Sequence, residues 1–292
     1  MQLPSFGDDL VNALNVRVLG EDDADCTIVL AHGFGCTQSL WDEVLPSLLS
    51  YPVEGGMRVM VFDWPGSAST SFDFAPTSRL YHVFADLLVS LLQELEIRSC
   101  IYVGHSMSAM IGCLAALTEP ALFRKLILVG ASPRYLNEEA YYGGFEQDDL
   151  NNLFDAMARD FCGWAEGFAR AVVGTDAPDV AVRKFESTLS GMQPDTALAM
   201  AKAIFLSDFR SDIGSVAKVL DAGSQNGKPS GTANIVVLQT EKDLAVPLLV
   251  SDYLKMVLGD RGRVEVLQVE GHLPQLSAPE TFNSALRRAL LE

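Results

Sequence analysis

A mainly parallel β-sheet covered by helices on both faces is the architecture this sequence predicts, on three observations. Short β-branched runs recur along the chain with helical stretches between them, the alternation that parallel strands joined by crossover helices require. The serine, aspartate and histidine with the strongest claim to chemistry each fall just past the carboxyl end of such a run, the edge at which α/β folds bind ligands. At 292 residues and 49% hydrophobic content, the chain has ample apolar surface for a buried core.

Taken in order, residues 27–31, 58–63, 100–103, 125–129, 233–240 and 263–269 read as strands, and residues 11–19 add antiparallel edge strands before them. Residues 78–96 carry Leu80, Phe84, Leu87, Leu88, Leu91, Leu92 and Leu95 at helical spacing, and residues 108–117 read as a second helix. From 133 to 206 the alternation stops, and the sequence reads as four helices without a strand. This divides the chain into a core, residues 1–132 and 207–292, and a helical lid, residues 133–206, inserted after the sixth strand. The lid holds Leu150, Leu153, Phe154, Met157, Phe161, Trp164, Phe168 and Val172 in a stripe. Such a stripe is ordinary core on an isolated helix, but an insertion between sheet strands lies over the carboxyl edge, where it forms a pocket wall. Residues 221–232, DAGSQNGKPSGT, read as an exposed loop.

Formal net charge is −17, from 38 acidic and 21 basic residues, which opposes binding to nucleic acid or an anionic membrane surface. The first residues lack the basic and apolar regions of a secretory signal, and no apolar run approaches the roughly 18 residues of a membrane span, so an intracellular protein is expected. Cys26, Cys36, Cys100, Cys113 and Cys162 are odd in number and form no C-x-x-C pair, which points to reduced thiols rather than disulfides or zinc. No Walker loop, dinucleotide fingerprint or H-E-x-x-H spacing occurs. No cofactor and no metal are expected.

A serine hydroxyl is a poor nucleophile unless a histidine takes its proton and a carboxylate holds that imidazole in the right tautomer. Ser106 lies in GHSMS, Asp243 in KDLAVP and His272 in EGHLPQL, and the order Ser, Asp, His is that of the α/β-hydrolases. Residues 100–108 run from a strand into a helix, as a nucleophile elbow does. The usual G-x-S-x-G has Ser108 at its last position here, where a small residue suffices for the helix to approach the strand. Alone, the elbow reads equally as a strand-to-helix junction that happens to contain serine, Asp243 as a helix cap and His272 as a surface histidine; the conjunction at one sheet edge favours a triad. His32-Gly33-Phe34-Gly35 follows the strand ending at Ala31, so the amides of Phe34 and Met107 are positioned as an oxyanion hole. His32 and His105 read as loop braces, and His82 as a helical residue without a partner.

HGFG, GHSMSAMIG, ASPRYLNEEAYYGGFEQDDL, KDLAVP and EGHLPQLSAPE closely resemble one branch of the α/β-hydrolases, the plant butenolide receptors for karrikins and strigolactones (the KARRIKIN-INSENSITIVE and DWARF types), with the bacterial regulator RsbQ as a relative. The likeness covers nearly the whole chain, and SPRYLN followed by YYGGFEQDDL looks more like the karrikin type. The resemblance implies an α/β-hydrolase fold with a V-shaped four-helix lid, a triad of Ser106, Asp243 and His272, and an apolar pocket from Phe34, Met107, Tyr135, Phe145, Leu153, Trp164, Phe168, Phe205 and Ala245. It implies a small lactone ligand, recruitment of a leucine-rich-repeat F-box protein and repressor proteins, and a place in cytoplasm and nucleus. Cys36-Thr37 replaces the family's Thr-Asp, Asp63-Trp-Pro-Gly-Ser-Ala its D-x-x-G-x-G, and Arg170-Ala171 its Pro-Leu. The first and third of these touch the pocket mouth or the lid, so ligand preference does not carry over. The leading expectation is a hydrolase-type receptor with slow turnover; the alternatives are an ordinary carboxylesterase or lactonase and a binding module with a vestigial triad.

Overall fold

Seven apolar, largely β-branched runs pair into one sheet in the computed structural model, which describes residues 10–21, 23–51, 55–70, 78–223 and 234–291. The strands are β1 (Arg17–Gly20), β2 (Cys26–Ala31), β3 (Met57–Val61), β4 (Cys100–His105), β5 (Phe123–Val129), β6 (Ile235–Lys242) and β7 (Gly262–Glu270). Their order is β1-β3-β2-β4-β5-β6-β7. Only β1 runs antiparallel to its neighbour; every other pairing is parallel. A parallel strand has helices on both faces, so β4 is buried at all six positions.

Helices α1 (Leu10–Ala13), α2 (Leu45–Leu49), α3 (Leu80–Glu94) and α4 (Met107–Thr118) precede β5, while α5 (Gln147–Arg159), α6 (Phe161–Val173), α7 (Asp179–Ser190), α8 (Pro194–Phe205) and α9 (Arg210–Gly223) separate it from β6. Helices α10 (Leu248–Leu258), α11 (Pro274–Ser277) and α12 (Pro279–Leu291) complete the chain. Helix α4 is buried from Met107 to Ala116, as a helix apolar all round must be. Helix α5 opens with a capping box in which Glu146 and Asp149 satisfy each other's backbone N–H groups.

Three expectations are corrected. The edge region yields one strand rather than several, because Leu10–Ala13 closes a helical turn that buries Leu10 and delivers Leu14 to the core. The four-helix insertion therefore follows the fifth strand, not the sixth. Of the supposed loop 221–232, residues 221–223 finish α9 and the remainder lies outside the described residues. No helix among the described residues is long and apolar enough to cross a membrane.

Candidate active site

The turns that leave β2, β4, β6 and β7 at their carboxyl ends bring the predicted chemistry together. Ser106 sits between β4 and α4 with φ 57° and ψ −122°, a conformation a non-glycine residue holds only when its surroundings over-determine it. Two hydrogen bonds do so: the Ser106 N–H donates to the Val129 carbonyl at 2.8 Å, and its own carbonyl accepts from the Ala109 N–H at 2.9 Å. The tight turn also needs Gly104, where a Cβ would lie 2.5 Å from the Ser108 carbonyl oxygen.

Asp243 follows β6 and is buried; its Oδ2 lies 2.8 Å from Nδ1 of His272. Oδ1 accepts from the N–H groups of Ala245 at 2.8 Å and Val246 at 3.0 Å, and Oδ2 also accepts from the Gln239 amide at 3.0 Å. Burial opposes ionisation of Asp243, but the His272 imidazole and the hydrogen bonds outweigh it and hold the carboxyl below its ordinary value. An ionised Asp243 accepts a hydrogen bond from the Nδ1–H of His272, which leaves Nε2 with its lone pair available to take a proton.

The other two buried histidines are fixed in tautomers that exclude this role. The His32 Nε2 accepts from the Trp64 N–H at 3.2 Å, so its Nδ1 carries the proton and donates to the Gly33 carbonyl at 2.9 Å. The His105 Nε2 donates to the His272 carbonyl at 2.8 Å, and its Nδ1 is buried without a partner among the described residues. Burial lowers both; that of His105 falls to about 3, with the neighbouring His272 as the next cause. Both rings are neutral braces, as their positions beside the motifs suggest.

Neither the Phe34 nor the Met107 N–H donates a hydrogen bond within the described residues, and Met107 opens α4, where a helix leaves its N–H groups unpaired. Ser108, the departure from the usual elbow glycine, joins these two donors' supports. Its hydroxyl donates to the His32 carbonyl, 2.5 Å away, and accepts from the Trp64 indole N–H at 2.8 Å.

A cavity that opens to solvent, about 400 Å³ with the open part included, lies over Ser106 and His272. Of the residues proposed for the pocket, Phe34, Tyr135, Phe168, Phe205 and Ala245 line this cavity, whereas Phe145, Leu153, Trp164 and the side chain of Met107 do not. The physical reason is stacking behind the wall. Trp164 lies against the back of Phe168 at 4.7 Å between ring centroids, and Phe145 meets the edge of Phe205 at 5.4 Å. Leu153 packs on the core, and Met107 is buried beneath the elbow. Val172, a member of the lid stripe, lines the cavity too, and sequence reasoning missed Phe185, Ile204 and Leu273. Adjacency to Phe205 and His272 was the available signal for Ile204 and Leu273; Phe185 needed knowledge that α7 lies on the Gly35 turn. There the Thr188 hydroxyl donates to the Gly35 carbonyl at 2.7 Å. Burial pushes the Tyr135 phenol well up, with the nearby Ser106 hydroxyl opposing the shift. Cys36 and Thr37 line a separate cavity of about 170 Å³ on the far side of Phe185, and burial raises the Cys36 thiol. Among the described residues no cluster of His, Cys, Asp and Glu has metal-binding geometry.

The model of the alpha/beta hydrolase family matches residues 28–285. A probable esterase, D14L, of Oryza sativa subsp. japonica is 46% identical over 279 residues, covering 94% of this chain and 95% of its own. The karrikin insensitive 2 receptor CA of Petunia hybrida is 43% identical over the same shares, and the strigolactone esterase D14 of Arabidopsis thaliana 41% identical over 97% of this chain and 98% of its own. Among solved structures, a hydrolase from Oleispira antarctica superposes with a TM-score of 0.85 at 25% identity over the full length of both chains.

Proposed function

We infer that this chain, which belongs to the alpha/beta hydrolase family and within it to the branch of the karrikin and strigolactone receptors, is a hydrolase-type receptor for a small, uncharged butenolide lactone. The observation that carries this reading is the His272 to Asp243 contact at 2.8 Å at the floor of an apolar cavity that also holds Ser106.

In the proposed reaction the Ser106 hydroxyl passes its proton to Nε2 of His272 as Oγ attacks the lactone carbonyl. The tetrahedral oxyanion accepts hydrogen bonds from the Phe34 and Met107 N–H groups. The ring C–O bond then breaks, the imidazolium returns its proton to the leaving oxygen, and water hydrolyses the acyl-serine by the same base. Residues 133–206 act as the lid, and product release waits for that lid to move, which makes turnover slow. By the same likeness, the moved lid recruits a leucine-rich-repeat F-box protein and repressor proteins in the cytoplasm and nucleus.

Intact-mass spectrometry after incubation with a butenolide panel tests the reading. An adduct on Ser106 or His272 that decays slowly, with a change in melting temperature, supports a receptor. Rapid multiple turnover without any change in stability supports a plain esterase or lactonase instead, and absence of both adduct and turnover rejects the site.

A further inference from the structure

The backbone of His272 is gripped from two sides, and one of them is the inserted helices. Its N–H donates to the carbonyl of Val172 in the last turn of α6 at 2.7 Å, and its carbonyl accepts from His105 at 2.8 Å. The residue before it, Gly271, has φ 98°, and a Cβ there would lie 1.9 Å from the Val173 carbonyl oxygen. Only a glycine lets the chain pass so close beneath the end of α6. Its N–H donates to the Lys242 carbonyl at 2.8 Å, and its carbonyl accepts from the Thr240 hydroxyl at 2.8 Å.

One residue earlier, the Glu270 carboxylate reaches the turn between α6 and α7. Oε1 accepts from the Thr175 N–H at 2.7 Å and from the Thr175 hydroxyl at 2.8 Å. The same turn is held from the other side by Arg170, whose guanidinium donates to the Ala177 carbonyl at 3.3 Å and to Asp179 at 2.5 Å. Arg170 is one of the departures from the family pattern. The turn joining two lid helices is therefore tied to the loop bearing the general base.

We propose that Glu270 and Thr175 are positioning residues that clamp the His272 loop to the α6–α7 turn, so that displacement of the lid and displacement of the imidazole from Ser106 are one event. The proposal rests on the hydrolase reading above and gives it a route from lid to triad. It makes catalytic competence a reporter of lid position: an intact clamp holds the base in place, and a moved lid withdraws it.

The test uses p-nitrophenyl acetate with the full-length chain. A misplacement on the order of 1 Å costs up to about a hundredfold in rate. For Glu270→Ala, kcat is expected to fall roughly tenfold or more with KM nearly unchanged, while Glu270→Gln, which keeps an accepting Oε1, recovers most of it. Thr175→Val, which keeps the N–H bond and loses the hydroxyl bond, is expected between the two. Labelling of Ser106 by a fluorophosphonate should slow in parallel, because that reaction also needs the base; a merely structural loss would lower the melting temperature and leave both rates alone. Unchanged kcat and labelling in folded Glu270→Ala overturn the clamp, whatever Ser106→Ala shows about the nucleophile. Should Glu270→Ala not fold, Thr175→Val against Glu270→Gln decides the matter: equal, wild-type rates in both overturn it.

Discussion

Phe168→Ala separates pocket wall from core at a single ring. A fully buried aromatic side chain removes about 200 Å² from water, worth about 5 kcal/mol at roughly 25 cal/mol per Å², and its truncation typically costs about 3 to 5 kcal/mol. Phe168 is only half-buried: one face stacks on Trp164 at 4.7 Å and 21°, while the ring also lines the cavity above Ser106. Surface facing an existing void loses few contacts on truncation, so about 2 kcal/mol is expected, a fall in melting temperature of roughly 3 °C for a chain of 292 residues. The vacated volume joins the cavity. Rates with p-nitrophenyl esters of increasing acyl length should shift towards the longer members, whereas Trp164→Ala, one layer behind, should lose stability with a smaller shift. Thermal melts and the acyl-length series check this. A fall of about 5 to 8 °C or more, the value for a core ring on the same scale, with an unchanged length preference would show that Phe168 is core and refute the reasoning.

Three further outcomes follow from the same geometry. Ser106→Ala should reduce p-nitrophenyl acetate hydrolysis by about a thousandfold or more at nearly unchanged melting temperature, leaving only oxyanion and binding effects; retained turnover would remove Ser106 from the mechanism. Ser108→Ala deletes the hydroxyl between the His32 carbonyl and the Trp64 indole, and should cost about 1 to 3 kcal/mol with a loss of kcat, since the Phe34 donor stands two residues beyond His32; a silent variant would sink that link. Loss of stability in acid comes from His32, His105 and Asp243. The two buried histidines are lowered from 6.5, His105 to about 3, so the unfolded chain binds more protons below that starting value and stability falls as pH drops through 6.5 towards 3. Asp243, lowered from 3.8, contributes stability above that value and loses it as pH falls through its depressed folded value. The summed loss is on the order of several kcal/mol, and a melting temperature constant from pH 7 to pH 5 would contradict the buried, neutral histidines.

The sheet was legible because parallel strands buried on both faces write themselves as continuous apolar runs, and the proposed triad stood out because an elbow and two strand-end loops carry residue types with few other uses. What escaped was set by packing between elements distant in sequence. The short helix at Leu10–Ala13 is only four residues long, too short for a 3.6-residue period to declare itself. Phe145 and Trp164 have the composition of pocket residues, yet each sits behind another aromatic ring, and helical spacing records which residues share a face without recording which of them is nearer the void. Phe185 and Val172 reach the cavity because α7 rests on Gly35 and α6 on Gly271, contacts spanning about 150 and 100 residues of chain. The tautomers of His32 and His105 were likewise invisible: they depend on which backbone group meets which ring nitrogen.

The charge of the site constrains what enters and what leaves. The lining residues of the cavity include no Lys or Arg, and the chain as a whole carries −17, so an anionic ligand would give up its hydration without gaining a partner. A neutral ester or lactone meets no such penalty. Hydrolysis changes that balance, because it turns an uncharged lactone into a hydroxy acid whose carboxylate stands in an apolar cavity close to the buried Asp243. The one group there able to hold positive charge is His272, which must be neutral to begin another turnover. The same reaction that fills the site with product therefore makes the apolar cavity unfavourable for it. A ring-opened acid should bind at least about tenfold more weakly than the intact lactone of the same skeleton, a gap of about 1.4 kcal/mol. Calorimetric titration of Ser106→Ala with both compounds measures this directly, and equal affinities would mean that charge plays no part in emptying the site.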